Sequence, residues 1–238
     1  MDYYDVVLSE IKRLRIMKKF YLGLIITGLL AGCSSTDDSN AQSTSSVAAM
    51  GVIGDGQFTQ FRANNGKSDA WLKHADKNNG LGDVDSSAET ASGDEGSVRI
   101  RFVNATDDFT AAPGISQVLT NVEPNTEYTL SVYYADKKGD ASLSELEIGA
   151  KALGEHSLSG STVVTKEIHI KDLSDSAHGD ANDGFRQATV DFNSGSNTTL
   201  EIYALMHIIN ANQLDKNADI SEQTEVYIDD FSLTVKDD

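Results

Sequence analysis

Apolar residues in this chain recur at every second position, over runs too short to be anything but β-strands. A period of two puts the apolar side chains of a run on one face of a pleated strand. Residues 97–103 (SVRIRFV) align Val98, Ile100 and Phe102. Residues 126–134 (TEYTLSVYY) align Tyr128, Leu130, Val132 and Tyr134, so Tyr133 must point the other way. Residues 143–148 (LSELEI) alternate more weakly, with Leu143 out of phase. Residues 162–170 and 186–192 are rich in β-formers, and 199–209 begin in alternation before turning mostly apolar. Residues 225–235 carry Val226, Ile228, Phe231, Leu233 and Val235. The phase slips between Ile228 and Phe231, which predicts a β-bulge at Asp229–Asp230. Turn-forming clusters at 124–125, 138–140 and 193–197 separate the runs. No body segment keeps a 3.6-residue period, and there is no internal repeat. The pattern predicts an all-β fold, an antiparallel β-sandwich or jelly roll.

The first fifty residues have a different logic. Residues 22–30 (LGLIITGLL) form an apolar run too short to span a bilayer. Lys18 and Lys19 precede it and Ala31-Gly32-Cys33 follows it. A positive flank, a short apolar stretch and small residues make a secretory signal peptide, expected over 1–32. Its Leu30-Ala31-Gly32-Cys33 ending resembles a bacterial lipobox. The resemblance implies cleavage before Cys33 and lipid attachment to it. It also implies sorting to the outer membrane, since Ser34 rather than Asp follows the cysteine. Met17-Lys18-Lys19 is a typical signal start, so the expected true start is Met17. Residues 34–46 (SSTDDSNAQSTSS) lack apolar periodicity and read as a polar tether. The expected organisation is a signal over 1–32, a lipidated Cys33 with its tether over 33–49, and a sandwich over 50–238.

Composition narrows the functional classes. One cysteine excludes a disulfide framework and a cysteine-rich zinc site. The chain has 19 Lys and Arg against 37 Asp and Glu, a net charge of −18. Residues 1–32 hold five basic and three acidic residues, so 14 basic and 34 acidic residues remain after the cleavage point. Such acidity opposes binding to nucleic acid or to an anionic lipid surface. It also tilts any glycan partner towards neutral polymers, because a polyuronate would be repelled unless calcium bridged it.

The order of phrases in the body resembles a known family. Residues 114–119 (GISQVL) are followed by 122–133 (VEPNTEYTLSVY), 185–192 (FRQATVDF), 199–203 (TLEIY) and 227–233 (YIDDFSL). This looks like the galactose-binding-like sandwich of carbohydrate-binding modules of the family 4, 9 and 22 type. The resemblance implies non-catalytic polysaccharide binding. With the lipid anchor, such a domain would hold polysaccharide at the outer membrane for nearby enzymes or transporters. Where these modules often carry Trp, this chain has Phe185, which keeps a packing position.

Sugar recognition uses flat aromatics against the apolar face of a pyranose, with polar groups fixing its hydroxyls. Trp71, the one tryptophan, precedes an Asn- and Gly-rich loop and is a candidate contact, as are Tyr133 and Tyr203. The alternative for each is burial in the core, where sandwich aromatics usually lie. A structural Ca²⁺ is the expected cofactor, since calcium needs several oxygen ligands within a turn. Asp76, Asn78 and Asp83 form one candidate set, with Asp85 beyond; Asp215, Asn217 and Asp219 form another, with Glu222 beyond. The second set lacks a central glycine, having Ile220, and carries Val226 where a closing Glu would stand. Asp175, Asp180 and Asp183 form a third cluster. The family resemblance adds Asp229 or Asp230 as a calcium ligand. Solvated acidic loops are the competing reading for all of them. Two other functions stay open: a structural envelope lipoprotein with a protein partner, and a jelly-roll polysaccharide lyase or glycoside hydrolase. Residues 167–170 (EIHI) resemble one strand of the alginate-lyase jelly rolls, but that family's Arg-rich and Tyr-Lys strands are absent. His169 is expected to be an ordinary strand residue.

Overall fold

The computed structural model describes residues 53–93, 96–174 and 184–236. The signal segment, Cys33, the tether and the Asp175–Asp180–Asp183 cluster lie outside the described residues. No helix among those described is long and apolar enough to cross a membrane.

The described chain forms strands β1 (Leu72–His74), β2 (Asp83–Ser87), β3 (Ser97–Arg101), β4 (Gly114–Thr120) and β5 (Glu127–Asp136). They are followed by β6 (Ser144–Ala152), β7 (Thr162–Ile168), β8 (Arg186–Asn193), β9 (Thr199–Ile208) and β10 (Val226–Val235). Two five-stranded sheets result. Sheet I has the order β1-β4-β9-β6-β7 and sheet II the order β2-β3-β10-β5-β8. Every pairing is antiparallel. The all-β sandwich expected from the alternation is the fold.

Each alternating run delivers its apolar face to the space between the sheets. Sheet I contributes Ile115, Leu146, Ile148, Leu200, Ile202 and Met206. Sheet II contributes Val98, Ile100, Tyr128, Leu130, Val132, Tyr134 and Ile228. Burying a large apolar side chain contributes roughly 1.5–3 kcal/mol, and this layer is where the fold gathers most of it. Tyr133 faces away from this layer, into a small cluster with Ala91, Ala135 and Phe185 on the outside of sheet II.

The bulge falls where the phase slip put it. The register of β10 against β5 shifts between Asp229 and Ser232, and Asp230 takes a left-handed φ of 49°. The extra residue re-aims the strand so that Phe231 returns to the core. The Phe231 N–H then donates to the Gly56 carbonyl at 2.8 Å. A Cβ at residue 56 would lie 2.5 Å from the Phe231 carbonyl oxygen, so this close approach requires glycine. Trp71 fills the space behind. Its ring lies 5.2 Å from Phe58 and 5.1 Å from Phe231, and its indole N–H donates to the Asp55 carbonyl at 3.0 Å.

Strands β1 and β2 and the short helix α1 (Thr59–Ala63) have no counterpart in the sequence pattern. β1 is three residues long, and β2 (DVDSS) carries a single large apolar residue, so neither shows a readable period. Both are edge strands, and pairing with a neighbour defines them.

Trp71 joins the N-terminal segment to the bulge, so Trp71→Ala is expected to lower stability by about 3–5 kcal/mol. Chemical denaturation followed by circular dichroism measures this. As the lone tryptophan, Trp71 should also give blue-shifted emission that moves to the red in the same transition.

Candidate functional site

The outer face of sheet I carries the polar chemistry. Val118 on β4 lies opposite Glu201 on β9, which lies opposite Lys151 on β6. Two residues along, Ser116 lies opposite Tyr203, and Tyr203 opposite Gly149. The β6–β7 connection, residues 153–161, folds back over this face. Its neck is closed by the Ala152 N–H donating to the Ser161 carbonyl at 2.9 Å. At its tip Leu158 is left-handed, with φ 59°. The Leu158 N–H donates to Glu201 Oε2 at 2.6 Å, and the Ser157 hydroxyl donates to Glu201 Oε1. Ser116 Oγ also donates to Oε1, at 2.8 Å, and His74 Nε2 lies 2.8 Å from Ser116 Oγ.

Glu201 is therefore a buried carboxylate that fastens a loop to the sheet. Burial works to raise its pKa, but the hydrogen bonds from Ser157, the Leu158 amide and Ser116 outweigh it and hold the group below its ordinary value. Burial lowers the His74 pKa, and Glu201 only partly offsets this.

Between the loop and residues 68–72 opens a cleft of about 740 Å³, with Ser116, Gln117 and Val118 along its floor. Three aliphatic side chains project into it with much of their surface bare: Leu72 at 54%, Val118 at 47% and Leu153 at 56% exposure. The charged groups on its walls are Asp69, Glu155 and Glu201, and its lining includes no Lys or Arg. The Gln117 amide is already committed. It donates to the Gly54 carbonyl at 2.8 Å and accepts from the Gly54 N–H at 2.7 Å.

A second polar group lies further along the same face. Tyr203 Oη donates to Glu147 Oε1 at 2.9 Å, Thr165 Oγ1 donates to the same oxygen at 2.7 Å, and His207 Nε2 lies 2.7 Å from Glu147 Oε2. A Cβ at residue 149 would lie 2.6 Å from Tyr203 Oη, so glycine makes room for the ring. Burial pushes Tyr203 up to about 12. Burial would raise Glu147 too, but Thr165, Tyr203 and His207 hold it below its ordinary value. Both Glu147 and Glu201 are thus ionised at neutral pH, which suits neither for the protonated acid of a glycosidase. Asp136, the carboxyl that burial raises, does not line the cleft.

No protein-family profile and no curated protein matches the sequence. Solved structures with similar backbones do exist. A CBM22 xylan-binding domain of Paenibacillus barcinonensis Xyn10C shares 14% identity at a TM-score of 0.41, over 71% of this chain and 87% of its own. The K1 cleaved adhesin domain of Lys-gingipain from Porphyromonas gingivalis shares 15% identity at 0.41, over 72% and 94%. The enzymatically active domain of tailspike protein 4 from bacteriophage CBA120 shares 12% identity at 0.48, over 77% of this chain. This chain spans only 21% of that tailspike.

The three expected sugar contacts lie apart. Trp71 borders the cleft but is only 4% exposed, packed between Phe58 and Phe231. Tyr203 is buried under the loop face, and Tyr133 is buried on the outside of sheet II beside a separate cleft with Gln187 and Asp230. Among the described residues every aromatic side chain is buried except Tyr227, which is half-buried. No flat aromatic platform is presented, because each of these rings found packing partners in the core or at a sheet face. The aliphatic trio took its place, and nothing in its sequence spacing marks it. Leu72, Val118 and Leu153 are far apart in the chain, and only strand pairing gathers them.

The expected calcium ligands also have local employment. Asp76 caps a 3₁₀ turn through the Asn79 amide and side chain, while Asn78 is exposed on the same turn. Asp83 pairs with Arg101 at 3.1 Å. In the 215–219 loop Asp215 accepts from the Asn217 N–H, and Asp219 accepts from the Ser221 N–H and hydroxyl. The Gln223 side-chain amide fills the loop, donating to the carbonyls of Asp215 and Asp219. The carboxylates of both sets thus hold local hydrogen bonds or an ion pair. Asp229 is fully buried and accepts from the Ala91 and Asp230 amides at 2.8 and 2.7 Å. Among the described residues no three His, Cys, Asp or Glu side chains converge on one point. His169, at the end of β7, is buried with Nε2 3.1 Å from the Ser142 carbonyl, a structural position.

Glu201 and His74 both bind protons less readily folded than unfolded, so stability should fall as pH drops. The loss begins with His74 below its unfolded value of 6.5 and continues with Glu201 below 4.5. Glu201→Ala should cost about 1–3 kcal/mol by leaving the Leu158 amide and Ser116 without an acceptor. It should also speed hydrogen exchange at Leu158. Denaturation midpoints from pH 7 to pH 4 and exchange at that amide measure both effects.

Proposed function

We propose that this chain is a non-catalytic polysaccharide-binding domain, held at a bacterial outer membrane by lipid on Cys33. The observation that carries the binding reading is the cleft on sheet I, in which bare aliphatic side chains stand beside carboxylates, an imidazole and hydroxyls. A sugar chain offers the matching surfaces: C–H faces for Leu72, Val118 and Leu153, and hydroxyls for Asp69, Glu155 and His156. The family resemblance of the strand phrases points the same way. The cleft's committed Gln117 amide and a Glu201 carboxylate held below its ordinary pKa suit a holding surface rather than a reaction centre.

The anchor part of the proposal rests on the sequence alone. The signal pattern ends at the one cysteine, and a polar tether of about the right character follows it. A structural Ca²⁺ belongs to the proposal at one place, the Asp229–Asp230 bulge, where buried Asp229 and half-buried Asp230 would supply carboxylate oxygens and carbonyls and water would complete the shell.

The bare aliphatic trio also favours a second reading, an envelope lipoprotein that docks a protein partner through the same cleft. Affinity electrophoresis against a panel of neutral and acidic polysaccharides, xylan included, separates the two. Retention by a neutral polymer, weakened about tenfold or more by Leu72→Asp with Leu153→Asp, is the expected result. Retention by none of the panel sinks the sugar reading. Cys33→Ser is expected to move the protein from the detergent phase to the aqueous phase on Triton X-114 partition of expressing cells. Chelation followed by a thermal melt tests the ion, and an unmoved Tm removes it from the proposal.

A further inference from the structure

The cleft combines two features that a plain sugar-binding surface does not need together. Its exposed apolar side chains are aliphatic, not aromatic, and its charged groups are all carboxylates. Leu72, Val118 and Leu153 follow one another across the outer face of sheet I, with Leu72 beside Val118 and Leu153 on the far side of β9. Leu72 pairs with Ser116, two residues from Val118 on β4, and Leu153 continues β6 past Lys151, which shares a row with Val118. Branched aliphatic side chains make a surface of methyl groups. Such a surface matches small methyl-bearing substituents better than the broad face of a pyranose, for which a planar ring is the better partner. The carboxylates of Asp69 and Glu155 accept hydrogen bonds and repel anions.

We infer that the cleft takes an uncharged glycan bearing acetyl substituents, with acetyl methyls seated against the Leu72–Val118 pair and against Leu153. This rests on the polysaccharide-binding reading and names the class of polymer. The acetyl group can come from an N-acetylamino sugar or from an O-acetyl ester, and both present the same methyl at the end of a short planar arm. The carboxylates select against uronates.

The test compares matched pairs by isothermal titration calorimetry with the whole folded protein. One arm sets N-acetylglucosamine oligomers against cello-oligosaccharides of the same length, which carry an uncharged hydroxyl in place of each acetamide. The other sets O-acetylated xylo-oligosaccharides against the same chains after alkaline deacetylation. A glucuronate oligomer is the acidic control. The expected result is that the acetylated member of at least one pair binds about fourfold or more tighter, the factor that burying one methyl-sized group supplies. The arm that shows the difference identifies the source. Val118→Thr keeps a β-branched residue on the strand, and Leu153→Asn changes an exposed loop position, so both should fold. Each should shrink the acetyl preference while leaving the thermal midpoint close to that of the parent. Equal binding of both members of both pairs, or tighter binding of the acetyl-free members, overturns the inference and leaves the polysaccharide reading standing. Absence of binding to every glycan, unmodified polymers included, overturns both.

Discussion

Burial of one face of each sheet against the other is the constraint on which the rest of this structure depends. Ten strands alternate their side chains, and the apolar half of each long strand is driven into a shared layer. Once those faces are committed, the other half of every strand has no choice but to face outwards. On sheet I that outward half is where Ser116, Val118, Glu201, Tyr203 and Glu147 are set in rows by register alone. A one-residue slip of β9 would exchange Glu201 and Tyr203 for Leu200 and Ile202, so core and site are specified by the same pairing.

Glu201 turns this ordered face into a cleft. A carboxylate buried on a strand face must be met by donors or lose its charge. Here the donors include a hydroxyl and an amide from the tip of the β6–β7 loop. The electrostatic demand of one side chain thereby fixes a nine-residue connection as a wall, and the wall brings Leu153 to the cleft that Leu72 and Val118 also line. The bulge at Asp229–Asp230 does similar work on the other sheet. It swings Phe231 inwards to meet Trp71 and gives the N-terminal segment a backbone partner at Gly56.

Much of the fold was legible because its signals are local. Tyr128, Leu130, Val132 and Tyr134 share a face in any extended strand, and two adjacent apolar phases in β10 require a bulge whatever surrounds them. Strands β1 and β2 were not legible. Three residues show no period, and edge pairing is a property of the neighbour as much as of the strand. The candidate site was legible only in part. Trp71 borders the cleft, but its ring is spent on Phe58 and Phe231. The oxygen spacing of the 215–219 loop is visible in the sequence, but not that Gln223, several residues on, donates its amide to two of the loop's carbonyls.

The sequence by itself determined the alternation, hence the β-sandwich, the core face of each long strand and the position of the bulge. It also carries the short apolar run and small residues ending at Cys33, the features behind the expected signal peptide, because short-range order along the chain encodes such features directly. Tertiary structure alone decided which aromatics are buried, which acids are already satisfied, and that Leu72, Val118 and Leu153 line one cleft. Those outcomes depend on register between strands distant in sequence and on where a loop is fastened. Neither is written in the spacing of any single segment.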